Sequence, residues 1–311
     1  MKPPIIKVEN LYVQYRNYFA VKDIHLTINQ GETVGLVGES GCGKSTVGKA
    51  ILGLTPVSSG SIYFGDHLLN GNHRTKFQDK MQLIFQDPYS ALNPRMTIEQ
   101  ILIEPLIIQK KYSKHRLKEK AKELIDLVNI PQEYLKKGPD ELSGGQRQRI
   151  NIARAISLNP AFIFCDEPVS SLDSIHQREI VQLMESLQKD QAVSYLFVSH
   201  DLPLVCSTSH QIAVMYFGEI VEWRNGKSIQ KKPLHPYTKT LFSSVPIPNP
   251  KIERKRKKIL IQGEVPSIMN PPSGCPFHTR CPNAKAICSE KAPPKHNVGN
   301  GEWVKCHFPG Y

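Results

Sequence analysis

Short apolar runs alternate along the chain with amphipathic stretches. The runs AFIFCDE, ending at Glu167, and SYLFVSH, ending at His200, have the length of buried strands. The segment REIVQLMESLQ between them places these apolar residues on one helical face: Ile180, Leu183, Met184 and Leu187. Strands that alternate with helices predict an α/β fold with a mainly parallel sheet.

The stretch from about residue 90 to about residue 157 has a helical pattern instead. In HRLKEKAKELIDLV the following apolar residues recur at helical spacing: Leu117, Ala121, Leu124 and Val128. We predict that this stretch is a helical subdomain inserted into the α/β core.

The composition changes after about residue 235. Segments such as SVPIPNPKIERKRKK are rich in proline and basic residues, which is typical of a linker. The last part of the chain holds a group of cysteines but little apolar periodicity, so we expect it to need support besides a hydrophobic core. We therefore divide the chain into a domain at 1–235 and, at 236–311, a linker with a small cysteine-rich domain.

Length, composition and charge narrow the class of protein. The chain has 311 residues, 40% of them hydrophobic. It has neither an apolar run of roughly 18 residues nor the apolar stretch of a signal peptide. We expect no transmembrane helix and a location in the cytosol, where disulfides rarely persist.

The formal net charge of +12 suits an acidic partner, whether nucleic acid, an anionic membrane surface or a phosphorylated ligand. We expect the basic run at 254–258 to be a solvated linker face, with contact to lipid headgroups or another polyanion as the alternative.

The segment GESGCGKS, at residues 38–45, fits the phosphate-loop pattern G-x-x-x-x-G-K-S between a predicted strand and a predicted helix. Small residues allow the backbone to wrap around phosphates with its N–H groups pointing inward, and the helix N-terminus adds positive potential. Lys44 can reach the β- and γ-phosphates, and the Ser45 hydroxyl can ligate Mg²⁺. The residues that we expect to contact ATP here are Gly38, Ser40, Gly41, Cys42, Gly43, Lys44, Ser45 and Thr46.

Two adjacent carboxylates end the predicted strand AFIFCDE. Asp166 would hold the magnesium shell, as the carboxylate at this position does in phosphate-loop enzymes. Glu167 would lie beside the γ-phosphate and polarise the attacking water. Without the phosphate loop, an exposed Asp–Glu pair that opens a loop would be the better interpretation.

The segment ELSGGQRQRINIARA contains a second candidate anion site, because glycines precede a predicted helix. At this point the sequence resembles the ATP-binding cassette family, whose signature is LSGGQ. The resemblance implies a RecA-like core with a helical subdomain, and two cassettes that pair head to tail. Each ATP then lies between the phosphate loop of one subunit and the signature of the other. The signature residues implied to contact it are Ser143, Gly144, Gly145 and Gln146.

Other residues match functional positions of that family in the same chain order. Gln86, in LIFQDP, matches the glutamine that joins the catalytic core to the helical subdomain. The segment SSLD, ending at Asp173, matches the loop that crosses the dimer interface, and His200 matches the histidine that contacts the γ-phosphate. Tyr15 matches the aromatic residue that stacks on adenine, although other aromatic residues lie close to it. The implied catalytic residues are Glu167, His200, Gln86 and Lys44, and the implied Mg²⁺ ligands are Ser45, Gln86 and Asp166.

The segments FQDPYSALNPR, HPYTKTLFSSVPIPNP and GEVPSIMNPPSGCPFHTRCP resemble the oligopeptide/dipeptide permease ATPases, specifically the second of their two ATP-binding subunits. The resemblance covers essentially the whole chain. It implies a peptide importer with two transmembrane permease subunits, a second related ATPase and an external binding protein, and a peripheral position at the cytoplasmic face of the membrane. No nucleic acid partner is expected.

Two alternatives are soluble cassette ATPases, acting either on nucleic acid or in iron–sulfur assembly. Repair and chromosome members of the family carry long coiled-coil insertions, and translation members usually carry two cassettes; this chain has neither. The permease-type linker argues against iron–sulfur assembly.

Cys275, Cys281, Cys288 and Cys306 follow the spacing C-x5-C-x6-C-x17-C. Clustered thiols in the cytosol favour metal ligands over disulfides, and four thiolates suit either zinc or an iron–sulfur cluster. Structural zinc sites prefer tight C-x2–4-C pairs, which this spacing lacks. The resemblance implies a [4Fe–4S] cluster, with Zn²⁺ as the alternative and free thiols or disulfides as the remaining possibility. The nearby histidines are expected to lie around the cluster or on the surface: His278, His296 and His307.

Overall fold

The computed structural model describes residues 3–70, 74–110, 112–246, 253, 263–264 and 266–310. The chain divides into two compact units. The first unit comprises Met1–Ile6, Thr27–Glu32 and Tyr63–Val198, and the second comprises Lys7–Leu26, Thr33–Ile62 and Ser199–Tyr311. The basic run at 254–258 lies outside the described residues.

The strands are β1 Pro4–Tyr15, β2 Tyr18–Asn29, β3 Thr33–Val37, β4 Ser59–Phe64, β5 His67–Leu68, β6 Met81–Ile84, β7 Phe162–Asp166, β8 Ser194–Val198, β9 Gln211–Tyr216, β10 Glu219–Asn225, β11 Lys295–Gly299 and β12 Glu302–Lys305. The α-helices are α1 Lys44–Leu52, α2 Pro88–Ala91, α3 Ile98–Ile108, α4 Lys114–Leu127, α5 Gly144–Ile156, α6 Ser174–Gln191, α7 Leu202–Thr208, α8 Gly226–Lys231, α9 Pro236–Ser244 and α10 Ala286–Glu290. Single 3₁₀ turns span Gln132–Lys136, Pro139–Glu141 and His278–Arg280.

In the first unit, β6, β7 and β8 are adjacent and parallel. Met81 lies opposite Phe162, which in turn lies opposite Ser194. Every residue of β7 and β8 is buried, as expected of parallel strands that are covered on both faces. The two buried strands that the sequence predicted are therefore confirmed.

The predicted amphipathic helices are also present in this unit. Helix α4 buries Leu117, Ala121, Leu124 and Ile125, and Val128 is buried just beyond its end. Helix α6 buries Ile180, Val181, Leu183, Met184 and Leu187. Helices α3, α4 and α5 all lie in the stretch predicted to be helical, and α4 packs against both of the others. Their treatment as a separate subdomain stays a prediction.

The second unit departs from the mainly parallel sheet that the sequence predicted. Strands β3 and β9 are parallel, but β10 runs antiparallel to β9. The turn between them consists of Phe217 and Gly218, and both have positive φ, at 52° and 88°. Two successive residues of positive φ form the tight turn that reverses a strand directly, so no helix intervenes.

The C-terminal segment continues this arrangement of the second unit. Strands β11 and β12 form a hairpin, and β12 pairs antiparallel with β10, where Trp303 lies opposite Trp223. An ion pair joins the same two strands, with Arg224 Nε 2.9 Å from Glu302 Oε2. The composition of this segment gave no indication of the hairpin.

Strands β1, β2, β4 and β5 form a sheet in the order β2-β1-β4-β5, most of whose residues belong to the second unit. Strand β2 alternates buried and more exposed positions, which is the pattern of a strand with one covered face. Among the helices in the described part of the chain, none is long and apolar enough to cross a membrane.

Candidate functional site

The phosphate loop connects β3 to α1 in the second unit, as the sequence predicted. Its backbone passes so close to neighbouring carbonyl groups that two of its positions require glycine. A Cβ atom on Gly38 would lie 2.1 Å from the carbonyl oxygen of Met215, and one on Gly43 would lie 2.4 Å from that of Ala20. Gly43 also precedes α1 without a side-chain cap on the first N–H groups of the helix. Such a helix start is suited to binding phosphate oxygens.

The side chain of Lys44 forms hydrogen bonds with the backbone of its own loop. This buried lysine donates hydrogen bonds of 2.9 Å from Nζ to the carbonyl oxygens of both Gly38 and Glu39. Its Nζ also lies 3.9 Å from the sulfur of Cys42, and burial raises the pKa of that thiol. The ammonium group is thus held within the loop, where a phosphate group can replace the carbonyl oxygens as its partner.

The first unit brings together two of the predicted catalytic residues. Strand β7 ends at the buried Asp166, and Glu167 follows with a positive φ of 49°. The Glu167 N–H donates to the carbonyl oxygen of Val198 at 3.0 Å, which helps to hold this uncommon backbone conformation. Nε2 of Gln86 donates a hydrogen bond of 3.0 Å to Oε2 of Glu167. The sequence placed both residues at the site but did not predict this contact.

The signature segment opens α5 in the first unit. The Ser143 hydroxyl accepts from the Gln146 N–H at 3.3 Å, and the Gln146 side chain accepts from the Ser143 N–H at 2.9 Å. This reciprocal pair is a capping box, which satisfies backbone donors at the helix start. The side chain of Arg147 lies over the ring of Tyr89 at 4.0 Å, which anchors the same helix to α2.

Sequence reasoning missed one residue beside the signature. A Cβ atom on Gly145 would lie 3.0 Å from Cδ2 of His176, so any larger residue here would require the His176 ring to shift by a few tenths of an ångström. Nδ1 of His176 lies 2.7 Å from Oδ2 of Asp173, which also caps α6. His176 therefore connects the signature to the SSLD loop within one unit. A histidine three residues after the helix cap was the only sequence signal for it.

The proposed adenine contact has two candidates in the second unit. The Tyr15 hydroxyl lies 3.4 Å from Oγ1 of Thr55. Phe19 is 40% exposed and lines a small cavity of about 70 Å³ together with Ser40 and Gly41 of the phosphate loop. The role of Tyr15 stays a prediction, and Phe19 is the neighbouring alternative.

The predicted site residues are divided between the two units. Gln86, the signature, Asp166 and Glu167 belong to the first unit, whereas Tyr15, the phosphate loop and His200 belong to the second. The expected placement of His200 near the γ-phosphate stays a prediction.

The cysteine-rich segment places its four cysteines around one cavity of the second unit. Cys275, Cys281, Cys288 and Cys306 all line it, and all are free thiols. The Cys275 N–H donates to the Cys288 carbonyl oxygen at 2.7 Å. Burial, with a smaller contribution from the neighbouring thiols, raises the pKa of Cys275 to about 11. Burial also raises the pKa values of Cys281 and Cys306.

The structure does not support the metal centre that the sequence predicted at the four cysteines. In the part of the chain that the structure describes, no group of three or more His, Cys, Asp or Glu residues is arranged so that it could hold a metal ion. His278 and His307 also line the cavity, but a ring nitrogen of each lies 2.9 Å from a backbone oxygen, of Cys275 and Lys291 respectively. His296 lies on β11.

A phosphate loop with its buried lysine and a glycine-rich, capped helix start in one chain define an ATP-binding cassette. The fold supports this class. The solved structure of the dimeric cassette MJ0796 bound to ADP and Pi aligns with a TM-score of 0.65 at 29% identity, over 71% of this chain and 98% of that one. The structure of cbiO1 from Clostridium perfringens, part of the ABC transporter complex cbiONQ, aligns with a TM-score of 0.67 at 26% identity, over 73% and 91% of the two chains.

Comparison of the sequence with known families shows which kind of ATP-binding cassette this is. The model of the ABC transporter family matches residues 21–170, and that of the oligopeptide/dipeptide transporter C-terminal region matches residues 221–288. The putative oligopeptide transport ATP-binding protein YkfD of Bacillus subtilis is 45% identical, over 98% of this chain and 95% of its own length. The oligopeptide transport ATP-binding protein OppF of Haemophilus influenzae is 44% identical, over 92% and 88%. The chain belongs to the oligopeptide/dipeptide family of ABC transporter ATP-binding proteins, and it is an ATPase. These relatives do not favour the nucleic acid and iron–sulfur assembly alternatives.

Proposed function

We propose that this chain is the ATP-hydrolysing subunit that powers a membrane importer of peptides. The observation that carries the proposal is the extent of the likeness to oligopeptide transport ATP-binding proteins. It covers 98% of the chain and includes the C-terminal region specific to such transporters. The importer contains transmembrane permease subunits as partners, and this chain binds to them at the cytoplasmic face of the membrane.

The chemistry of each site residue supports a defined role in ATP hydrolysis. Lys44 and the N-terminus of α1 bind the phosphates and neutralise their charge. The Ser45 hydroxyl, the Gln86 amide oxygen and the Asp166 carboxylate are oxygen donors of the kind that Mg²⁺ binds. When it is bound with ATP, Mg²⁺ neutralises charge on the β- and γ-phosphates. Glu167 accepts the proton of the attacking water.

Gln86 and His200 complete this assignment. The hydrogen bond from Gln86 fixes the direction of the Glu167 carboxylate, which a general base requires. We assign to His200 a contact with the γ-phosphate, and to Tyr15 the stacking on adenine.

The signature implies that ATP hydrolysis needs a second cassette. In the first unit, Ser143 and Gly144 stand at the start of α5 with their backbone held by the capping box. We propose that this helix start binds the γ-phosphate of ATP held by the partner cassette. The partner is a second, related ATP-binding subunit, and an external binding protein delivers the peptide to the complex.

An apolar groove of the first unit suits a permease segment. It has a volume of about 280 Å³, and its lining includes Phe85 and Ile108, which are 45% and 69% exposed. Glu104 and Arg154 form an ion pair of 3.2 Å in the same lining. Because Gln86 follows Phe85 directly, a segment bound here can displace the residue that contacts Glu167. This placement would connect permease movement to ATP hydrolysis.

We further propose that residues 236–311 form a linker and a small cysteine-rich domain whose four cysteines hold a [4Fe–4S] cluster, with Zn²⁺ as the alternative. The support is that all four thiols line one cavity; since they are not arranged there to hold a metal ion, metal binding must draw the thiols together. Iron, sulfide and zinc content of anaerobically purified protein tests this. Cys281→Ser is expected to lose the metal, whereas the matched variant Cys206→Ser, at a buried cysteine of α7, keeps it. Zinc without iron, or no metal at all, would contradict the cluster.

The importer is tested by affinity purification of tagged Glu167→Gln from native membranes solubilised with ATP and Mg²⁺. This variant is expected to hold the ATP-bound dimer together, because it binds ATP but hydrolyses it slowly. Co-purification of permeases and a second ATPase is the expected result. Glu179→Gln, a surface change in the same unit, is the matched control and should recover less of the partner ATPase. Co-purification of ribosomal proteins or nucleic acid without a permease would contradict the role in an importer but not the ATPase activity.

A further inference from the structure

Glu39, the second residue of the phosphate loop, is held by the C-terminal part of the chain. Its carboxylate forms a two-point ion pair with Arg280, at 2.8 Å from Nη1 to Oε2 and 3.1 Å from Nη2 to Oε1. The Arg280 side chain is only 8% exposed, and that of Glu39 is 25% exposed. A paired fork of this kind is both strong and directional, and water screens it little when it is this far buried.

The backbone of Glu39 has partners on both sides as well. Its N–H donates a hydrogen bond of 2.8 Å to the hydroxyl of Tyr237, on α9. Its carbonyl oxygen accepts the hydrogen bond of 2.9 Å from Nζ of Lys44. Glu39 therefore lies between the C-terminal region and the lysine that binds phosphate, and it contacts both directly.

Arg280 is itself fixed by the cysteine-rich segment. It ends the 3₁₀ turn His278–Arg280, which lies between Cys275 and Cys281, and its N–H donates to the Phe277 carbonyl oxygen at 3.0 Å. Phe277 is 1% exposed. The turn therefore fixes the backbone position from which the Arg280 side chain reaches the phosphate loop.

An aromatic cluster packs beside the ion pair of Arg280 and Glu39. The Phe277 ring lies 5.2 Å from that of Tyr216 and 5.4 Å from that of Tyr237, both edge to face. The Tyr216 hydroxyl lies 3.4 Å from Nη1 of Arg280. The residues that hold Glu39 thus form one packed group, so a change in the turn reaches both Arg280 and Tyr237.

We propose that Arg280 is a positioning residue for the phosphate loop, and that it sets the affinity for ATP by holding Glu39 and, through it, Lys44. The cysteine-rich segment then has a function in nucleotide binding besides its own folding. The proposal rests on the ATPase activity and is independent of what the transporter carries.

The test compares Arg280→Ala, Arg280→Lys and Glu39→Gln with the parent protein in the assembled transporter. Arg280→Ala is expected to raise KM for ATP by on the order of tenfold, because a charge-assisted pair is lost, with a smaller change in kcat. Arg280→Lys should recover part of the affinity, since an ammonium supplies the charge without the fork. Glu39→Gln, which keeps one acceptor for Arg280, should lie between the parent and Arg280→Ala.

Arg224→Lys is the matched control. Arg224 forms a similar partly buried ion pair with Glu302 in the C-terminal segment, and that pair includes no residue of the phosphate loop. This variant is expected to lower the free energy of unfolding without changing KM for ATP. If Arg280→Ala behaves as this control does, with lower stability and an unchanged KM, then Arg280 is only structural and the proposal fails.

A second readout does not depend on turnover. The buried thiol of Cys42 reports on the packing of the phosphate loop. Its labelling by a thiol reagent without nucleotide, followed by mass spectrometry of the Cys42 peptide, should become faster in Arg280→Ala and Glu39→Gln but not in Arg224→Lys. If Arg280→Ala fails to fold, the labelling rate and the KM for ATP of Glu39→Gln test the proposal instead. Unchanged labelling and unchanged KM in that variant would overturn the proposal.

Discussion

Gln86 donates a hydrogen bond of 3.0 Å to the carboxylate of Glu167. The two residues lie 81 positions apart in the chain. Gln86 follows β6 and Glu167 follows β7, so the parallel pairing of these strands places the two side chains at one edge of the sheet. A carboxylate that is oriented in this way is suited to accept a proton from water.

The first prediction concerns this carboxylate. Glu167→Gln is expected to bind ATP with nearly the parent affinity but to hydrolyse it about 10²- to 10⁴-fold more slowly, because the amide cannot act as a base. Single-turnover phosphate release and nucleotide-binding titration measure the two effects separately. Unchanged turnover would remove Glu167 from the catalytic role.

The second prediction concerns Lys44. Lys44→Ala is expected to lose tight binding of ATP, since the loop loses the cation that faces the β- and γ-phosphates. Lys49→Ala is the matched control, because this lysine is exposed in the last turn of the same helix. A fluorescent-nucleotide titration of both variants is the measurement. Equal loss of affinity in the two variants would contradict a specific role for Lys44.

The third prediction separates the two roles of Ser143. Ser143→Ala is expected to lower the free energy of unfolding by about 1 kcal/mol through loss of the helix cap. We also expect it to slow ATP hydrolysis by the dimer, because the same helix start faces the partner's ATP in our proposal.

Thr97→Ala is the matched control for this prediction. Thr97 forms the same kind of capping box at the start of α3 in the same unit. Urea unfolding should therefore give a similar loss of stability, while the ATPase rate stays close to that of the parent protein. If the two variants hydrolyse ATP at the same rate, Ser143 acts only as a cap.

The fourth prediction concerns the acid stability of the second unit. Burial lowers the pKa of His235 to about 3 from an ordinary value of 6.5. As the pH falls from 6.5 toward 3, the unfolded chain binds a proton at this ring that the folded chain does not bind, so the free energy of unfolding decreases in that range. Burial raises the pKa of Glu222, whose carboxylate accepts a hydrogen bond from the backbone N–H of His235. The contribution of Glu222 to the pH dependence of the free energy of unfolding therefore has the opposite sign.

His235→Asn tests this prediction. Asparagine keeps a side-chain acceptor for the Tyr237 N–H, which His235 caps at 3.0 Å, but it does not titrate. The decrease in the free energy of unfolding between neutral pH and about pH 5 should become smaller in this variant. The matched control His115→Asn makes the same change at an exposed position that caps no helix, and the decrease in His235→Asn is compared with it. An unchanged slope in His235→Asn would contradict the assignment.

The sequence by itself determined the local elements and the class of chemistry. The apolar stripe of α4 and the buried strands β7 and β8 were readable because helical and strand periodicity depends only on neighbouring residues. The phosphate loop was readable for a related reason, since its glycines, lysine and serine act within one turn of the backbone. The family resemblance then supplied Gln86 and His200, which no local pattern marks.

Tertiary structure decided which distant side chains meet. The contact of Arg280 with Glu39 spans 241 positions, and the contact of Gln86 with Glu167 spans 81. Tight turns at Phe217–Gly218 and Asn300–Gly301 form the hairpins β9–β10 and β11–β12, and the folded chain then pairs β12 with β10. Strand order and the direction of each loop set such contacts, and periodicity along the chain carries no information about either. The link between the cysteine-rich segment and the phosphate loop therefore became visible only in the folded protein.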